Sequence, residues 1–356
     1  MATTLKKTNV VIVGMGGAGG LAALPFAQAG MDVIGLEAGS WLKTSDMVPD
    51  ELGLRRKPWP PAPQKVRGEA PTSRANASAN ATRAQAAMIN GVGGTTMHYM
   101  AQAWRLNPWD FKVVSEVTKR YGKARLPAGS TVEDWPFSYE DLEPFYDKAE
   151  YALGISGKAG NLKGTKHPSG NIFEGVRSRE YPVPALRNTG FMDHMSKAAK
   201  SIGLNPFVGP AAILSQTYEG RFACGYHGYC MSLGCHLGAK SSPAFSTIPA
   251  AQKTGKLDVV TEAAVTRIEV QVADGRLAVV VLVRVQVDGA LRGVVVLVPL
   301  TVVVVRLGTG LGLDLRPGAG RRDAGSRRVL RAERRVGVPL LRAKRRARAV
   351  ERLEAL

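Results

Sequence analysis

Gly14, Gly16 and Gly19 stand at the spacing by which a chain leaves a strand, passes close to a pyrophosphate and packs the next helix back onto that strand. Gly14 permits the tight turn, Gly16 lets a phosphate approach the backbone, and Gly19 lets helix and strand pack closely. Strand, turn and helix come in the required order: Asn9 to Val13 is a β-branched apolar run, and Leu21 to Ala29 reads as a helix. The helix N-terminus presents unpaired N–H groups to an anion. A second strand, Asp32 to Leu36, ends in Glu37, a carboxylate about 20 residues beyond the glycines. Glu37 can accept hydrogen bonds from ribose hydroxyls and disfavours a 2′-phosphate. Residues 9 to 39 therefore predict a βαβ unit that holds a dinucleotide, with NAD and FAD both compatible and a plain glycine-rich turn as the alternative.

All three cysteines, Cys224, Cys230 and Cys235, fall within twelve residues, with His227 between them and His236 beside the last. An odd count excludes complete pairing into disulfides within the chain. Three thiolates with His227 as fourth ligand suit tetrahedral zinc. One disulfide plus a free thiol, or three unligated thiols, are the other readings, and His236 is expected to face solvent.

The elements that must position these residues lie in a chain of 356 residues, long enough for two domains. The net charge of +19 would suggest a nucleic-acid partner, but residues 271–356 supply +11 of it through 17 Arg and one Lys against 7 acids. The pattern gives no reason to expect nucleic acid. Residues 1–7 lack the basic, apolar and small-residue regions of an export signal. The longest apolar run, Gly293 to Val305, contains Pro299 and is shorter than the roughly 20 residues that span a bilayer.

A second small-residue loop, Asn90-Gly91-Val92-Gly93-Gly94-Thr95-Thr96-Met97-His98-Tyr99, is followed by Ala103 to Phe111 and by Asp134-Trp135-Pro136-Phe137-Ser138-Tyr139 to Tyr146. In this combination the chain, from about residue 8 to about residue 276, resembles the glucose-methanol-choline oxidoreductases, and within them the flavin subunits of membrane-associated sugar dehydrogenases of the gluconate 2-dehydrogenase type. The resemblance implies an α/β, two-domain fold: a Rossmann-like FAD-binding domain with an inserted substrate domain and an atypical C-terminal part. It implies a FAD-binding domain over 1–125, a substrate-domain and cysteine-rich segment over 126–245, and a return to the first domain over 246–276. It further implies FAD held by Gly14, Gly16, Gly19, Glu37, Gly93, Gly94 and Thr95, with the backbone of Val265 near the adenine. His98 would lie by the isoalloxazine edge or be joined covalently to the flavin, as a histidine in a similar context is in pyranose oxidases. On the same ground the three cysteines would carry a 3Fe-4S cluster relaying electrons to a cytochrome, although His227 stands where that pattern often has a fourth cysteine. The implied activity is oxidation of a CH–OH group of a sugar, sugar acid or polyol, with a small subunit and a cytochrome c subunit as partners. The membrane is reached only through those partners, at the periplasmic side by resemblance and in the cytoplasm if the absent signal decides. An oxygen-reducing oxidase and a silent FAD-binding fragment are the rivals.

Ser138 and Asp141 have capping-box spacing, and Leu142, Phe145, Ala149 and Leu153 recur at helical intervals, predicting a helix that packs an apolar face. After residue 276 the character changes: no aromatic residue follows Phe245, no His follows His236, and Val, Leu, Arg, Gly and Ala dominate residues 277–356. The catalytic histidine region that the family carries in its C-terminal third has no counterpart, so catalytic residues are not assignable. Such a tail is expected to replace the later strands of the Rossmann-type sheet. A frameshift in a GC-rich gene produces this composition. Sequencing across codons 277–281 is expected to show a one-base insertion or deletion, and an uninterrupted frame encoding the same tail contradicts it.

Overall fold

The computed structural model describes residues 3–4, 8–47, 50, 52, 89–230, 233–273, 276–287, 290–299 and 302–305. The tail beyond residue 305 lies outside the described residues. In chain order the first elements are β1 (Thr3–Thr4), β2 (Val10–Val13), α1 (Gly17–Gln28), β3 (Val33–Leu36), α2 (Val113–Tyr121), α3 (Tyr139–Leu153), β4 (Ser156–Gly157), β5 (Asn161–Leu162), β6 (Thr165–Lys166) and β7 (Val183–Pro184). Then come α4 (Gly190–Ser201), α5 (Thr247–Lys253), β8 (Leu257–Val260), β9 (Ala263–Ala273), β10 (Arg276–Val287), β11 (Ala290–Pro299) and β12 (Val302–Val305). The chain divides into two compact units, one of Met1–Leu42, Ala62–Gly94 and Thr247–Leu356, the other of Lys43–Pro61 and Thr95–Ser246.

The first unit carries a four-stranded parallel sheet in the order β12-β2-β3-β8. Val10, Val11, Ile12, Val33, Ile34 and Leu36 are all buried, which is why β2 and β3 read as continuous apolar runs rather than alternating ones. The helix α1 begins at Gly17, earlier than Leu21, because the glycine loop turns directly into it. It lies close enough to β2 that a Cβ at Gly19 would strike the Gly14 carbonyl and the Ile12 side chain. On its other side α1 meets α5, where buried Thr247 donates its hydroxyl hydrogen to the Gly20 carbonyl at 2.7 Å.

Part of the valine-rich tail lies in the sheets as far as residue 305. β12 pairs in parallel with β2, Val302 opposite Val10, and supplies a strand of the sheet. A second sheet, in the order β1-β11-β10-β9, is antiparallel along β9, β10 and β11, with a register irregularity at Leu282/Val283. Valine-rich sequence is strongly disposed to extended backbone whatever its origin. The long apolar run is divided at Pro299, the last residue of β11, where a strand loses its N–H donor. Among the described residues no helix is long and apolar enough to cross a membrane.

In the second unit, α3 starts as its sequence predicts. The Ser138 N–H donates to Asp141 Oδ2 at 2.8 Å and the Asp141 N–H to Ser138 Oγ at 3.3 Å. Gly154 ends the helix in the left-handed conformation. Its packing differs from the expected apolar face: Phe145 is 62% exposed, while Tyr139 and Glu150 are buried. The physical reason is an ion network. Glu150 accepts from Arg105 Nε and Nη2, both at 2.8 Å, and from the guanidinium of fully buried Arg177. Arg105 Nη1 also donates to Glu143 at 3.0 Å and to the Tyr139 hydroxyl at 3.1 Å. The Arg177 guanidinium lies 3.7 Å from the Tyr181 ring centroid.

A buried pair that loses one member leaves an uncompensated charge, at a cost of about 3–5 kcal/mol. Glu150→Ala strands two cations, so the unfolding free energy from urea denaturation is expected to fall by about 3–5 kcal/mol. A loss below about 1 kcal/mol, the value of an exposed pair, would contradict the network's role.

Candidate functional site

β2 delivers the chain to Gly14, whose φ of 90° is open only to glycine and whose N–H donates to the Leu36 carbonyl at 2.7 Å. Gly16 then caps α1 in extended conformation, with no side-chain cap and no acid in the first turn. This leaves a helix N-terminus whose dipole and N–H groups favour an anion. At the end of β3, Glu37 is buried and accepts from the Met15 N–H at 2.9 Å and the Gly39 N–H at 3.1 Å. Burial pushes its pKa above the ordinary carboxylate value, against the pull of backbone N–H groups of Gly39, Met15 and Gly91.

The second glycine loop closes on the first. The Gly93 N–H donates to the Met15 carbonyl at 2.7 Å, and the Val92 N–H to the Ser40 carbonyl at 3.0 Å. Gly39 must be glycine, because a Cβ there would run into the backbone of Asn90 and Gly91. The start of β9 joins them: Ala263 N–H donates to the Glu37 carbonyl at 2.8 Å and Glu262 N–H to the Gly39 carbonyl at 3.1 Å. Val265 follows two residues along and pairs with Val283. Of the residues named from sequence, Gly14, Gly16, Glu37 and Gly93 are thus brought together, with Gly94 next in the chain and Gly19 supporting the turn from behind.

Sequence reading missed Met15, Ser40, Gly39 and Gly91. Met15 and Ser40 act through their backbones, which no residue type announces; Gly39 and Gly91 were visible as glycines just after a strand and inside the second loop. The cradle fits a dinucleotide because its turns are glycine and backbone, with the Glu37 carboxylate at the strand end.

Thr95 and His98 belong to the other unit. Thr95 sits in a short 3-10 turn, Gly94–Met97, and its carbonyl accepts the His98 N–H at 3.2 Å. The His98 side chain is buried, and burial, then the charge of Lys240, holds its pKa below the ordinary value. His167 and His194 are exposed.

The three cysteines, all free thiols, line one small cavity with His227 and Lys240. The cavity is about 20 Å³, room for a single water. Among the described residues no group of three or more His, Cys, Asp or Glu could hold a metal ion. The arrangement therefore does not fit the expected metal centre at Cys224, Cys230, Cys235 and His227. His236 is half-buried, with its ring 4.5 Å from that of His227. The loop is anchored by the buried Lys240 ammonium, which donates to the Cys230 carbonyl at 2.7 Å and the Leu233 carbonyl at 3.0 Å.

No family model matches the chain. It is 33% identical over 287 residues to the gluconate 2-dehydrogenase flavoprotein of Pantoea cypripedii, covering 75% of this chain and 46% of that protein. It is 31% identical to the 2-methyl-1,2-propanediol dehydrogenase of Mycolicibacterium austroafricanum, over 75% of this chain and 44% of that protein. Against the fructose dehydrogenase large subunit of Gluconobacter japonicus the identity is 28%, over 72% and 46%. The chain spans about half the length of the curated relatives it matches. Among solved structures, a fungal aryl-alcohol oxidase aligns with a TM-score of 0.43 at 17% identity, over 85% of this chain and 46% of that one. With the glycine cradle and its closing carboxylate in place, the sequence kinship to these dehydrogenases decides the matter: the chain belongs to the glucose-methanol-choline oxidoreductase family.

Proposed function

We propose that this chain binds FAD in the cradle of Gly14, Gly16, Glu37 and Gly93, and is the cofactor-binding part of a dehydrogenase that oxidises a CH–OH group of a sugar, sugar acid or polyol. The observation that carries the reading is the closure of both glycine loops on one another around Met15 and Glu37. Bound FAD supplies the hydride acceptor, its N5. The chain's own residues bind and orient. The N-terminus of α1 holds the pyrophosphate, Glu37 accepts from ribose hydroxyls, and the backbone near Val265 faces the adenine. Gly93 and Gly94 let the chain pass close to the flavin. No residue is assigned to take the substrate's hydroxyl proton, since no histidine follows His236.

The likeness to a dehydrogenase flavoprotein and to a dehydrogenase large subunit favours partner polypeptides; on our reading these are a small subunit and a cytochrome c subunit that receives the electrons at the periplasmic side of the membrane. A second reading, a catalytically silent FAD-binding chain, rests on the composition of residues 277–356, where Val, Leu, Arg, Gly and Ala dominate and no histidine occurs.

Titration with FAD, followed by quenching of flavin fluorescence, is expected to show saturable binding. Gly19→Val should abolish it, and Glu37→Gln should weaken it about tenfold, the worth of one hydrogen bond to a charged group. Hydroxyl donors favour the ionised carboxylate, and burial raises the pH at which Glu37 ionises above the ordinary carboxylate value. FAD affinity should therefore rise with pH through that raised value and level off above it, and Glu37→Gln should flatten the dependence. Bleaching of the flavin band by a sugar acid or polyol under anaerobic conditions separates the dehydrogenase from the silent fragment. Absence of FAD binding contradicts both.

A further inference from the structure

We propose that α2 and the turn after it lie on an anionic lipid bilayer, with Trp109 and Tyr121 at headgroup level and Lys119, Arg120, Lys123 and Arg125 on the lipid phosphates. The helix buries none of its residues, although Val113, Val117 and Tyr121 recur at intervals of four and share one stripe. With Trp109 from the preceding turn they line an open trough of about 180 Å³, whose polar members, Glu116 and Arg120, pair at 3.2 Å. Trp109 is 41% exposed and Tyr121 67% exposed, so an amphipathic ring stands at each end of the apolar stripe.

Charge complementarity names the occupant. Residues 117–132 hold Lys119, Arg120, Lys123 and Arg125 and no acid. Gly122, at a φ of 82°, ends α2, and the 3-10 turn Lys123–Arg125 packs back against the helix, which gathers the four cations at its C-terminal end. The acids around α2 are engaged elsewhere: Asp110 accepts the Asn107 N–H at 2.7 Å, Asp134 accepts the Val114 N–H at 2.8 Å, and Glu116 is with Arg120. Lys119, Lys123 and Arg125 are exposed and, among the described residues, have no acidic partner. Cations alone would suit any polyanion. Exposed Trp and Tyr along an apolar stripe select the bilayer interface, where such rings rest among headgroups while lysine and arginine reach the phosphates. A nine-residue helix lies on a membrane and does not cross it.

Amide hydrogen exchange of the full-length chain tests this, with vesicles of phosphatidylglycerol and phosphatidylcholine in equal parts and with vesicles of phosphatidylcholine alone. Anionic vesicles are expected to slow exchange over residues 113–125, neutral vesicles to leave it unchanged, and added salt to reverse the protection. Brominated lipid in the anionic vesicles should quench the part of the tryptophan fluorescence that Trp109→Phe removes. Lys119→Gln, Lys123→Gln and Arg125→Gln should each weaken the local protection about fivefold, whereas Lys119→Arg and Lys123→Arg retain it. Protection confined to the basic segment beyond residue 270, and untouched by these substitutions, overturns the proposal, because the vesicles then bind through that segment alone. Equal protection by neutral vesicles overturns it too. So does protection of residues 113–125 by polyglutamate with none by vesicles, which assigns the face to an acidic polypeptide.

Discussion

The buried carboxylate of Glu37 is the joint on which the nucleotide-binding architecture depends. It stands at the end of β3, holds the first glycine loop through the Met15 N–H and the following turn through the Gly39 N–H. Met15, held in this way, is the residue whose carbonyl receives Gly93 from the second loop. The cost is desolvation of an acid, visible as its raised pKa. The surrounding backbone N–H groups offset that cost only in part, and ribose hydroxyls would supply further donors to the same oxygens.

The second unit uses buried charge differently. Glu150 lies between Arg105 and Arg177, and the three are satisfied mainly by each other and by Glu143 and Tyr139. Such a network contributes little net stability but is expensive to break, so it serves to fix α3 against the segments that carry the two arginines. Lys240 is a third case, a buried cation paired with backbone carbonyls instead of an acid. It pins the cysteine loop at Cys230 and Leu233.

The βαβ unit was legible because its signals are local: β-branched runs for β2 and β3, glycines at fixed offsets, and an acid at a strand end. The cap of α3 was legible for the same reason. Its buried face was not, because Leu142 and Phe145 carry the periodic apolar signal while Tyr139 and Glu150 are the residues buried. Only tertiary proximity of Arg105 and Arg177 makes a carboxylate a core residue. The cysteine cluster was legible as a cluster, but spacing alone does not report how the three thiols share one small cavity with His227 and Lys240. The valine-rich stretch, odd in composition, has the β-branched content that suits extended backbone, and residues 290–299 and 302–305 lie in sheets.

Amide hydrogen exchange with and without FAD tests the central claim most directly. If the cradle holds the cofactor, FAD slows exchange at residues 14–20, 37–39 and 91–95 and leaves residues 224–230 unchanged. Unaltered exchange across the two glycine loops at saturating FAD would contradict the account.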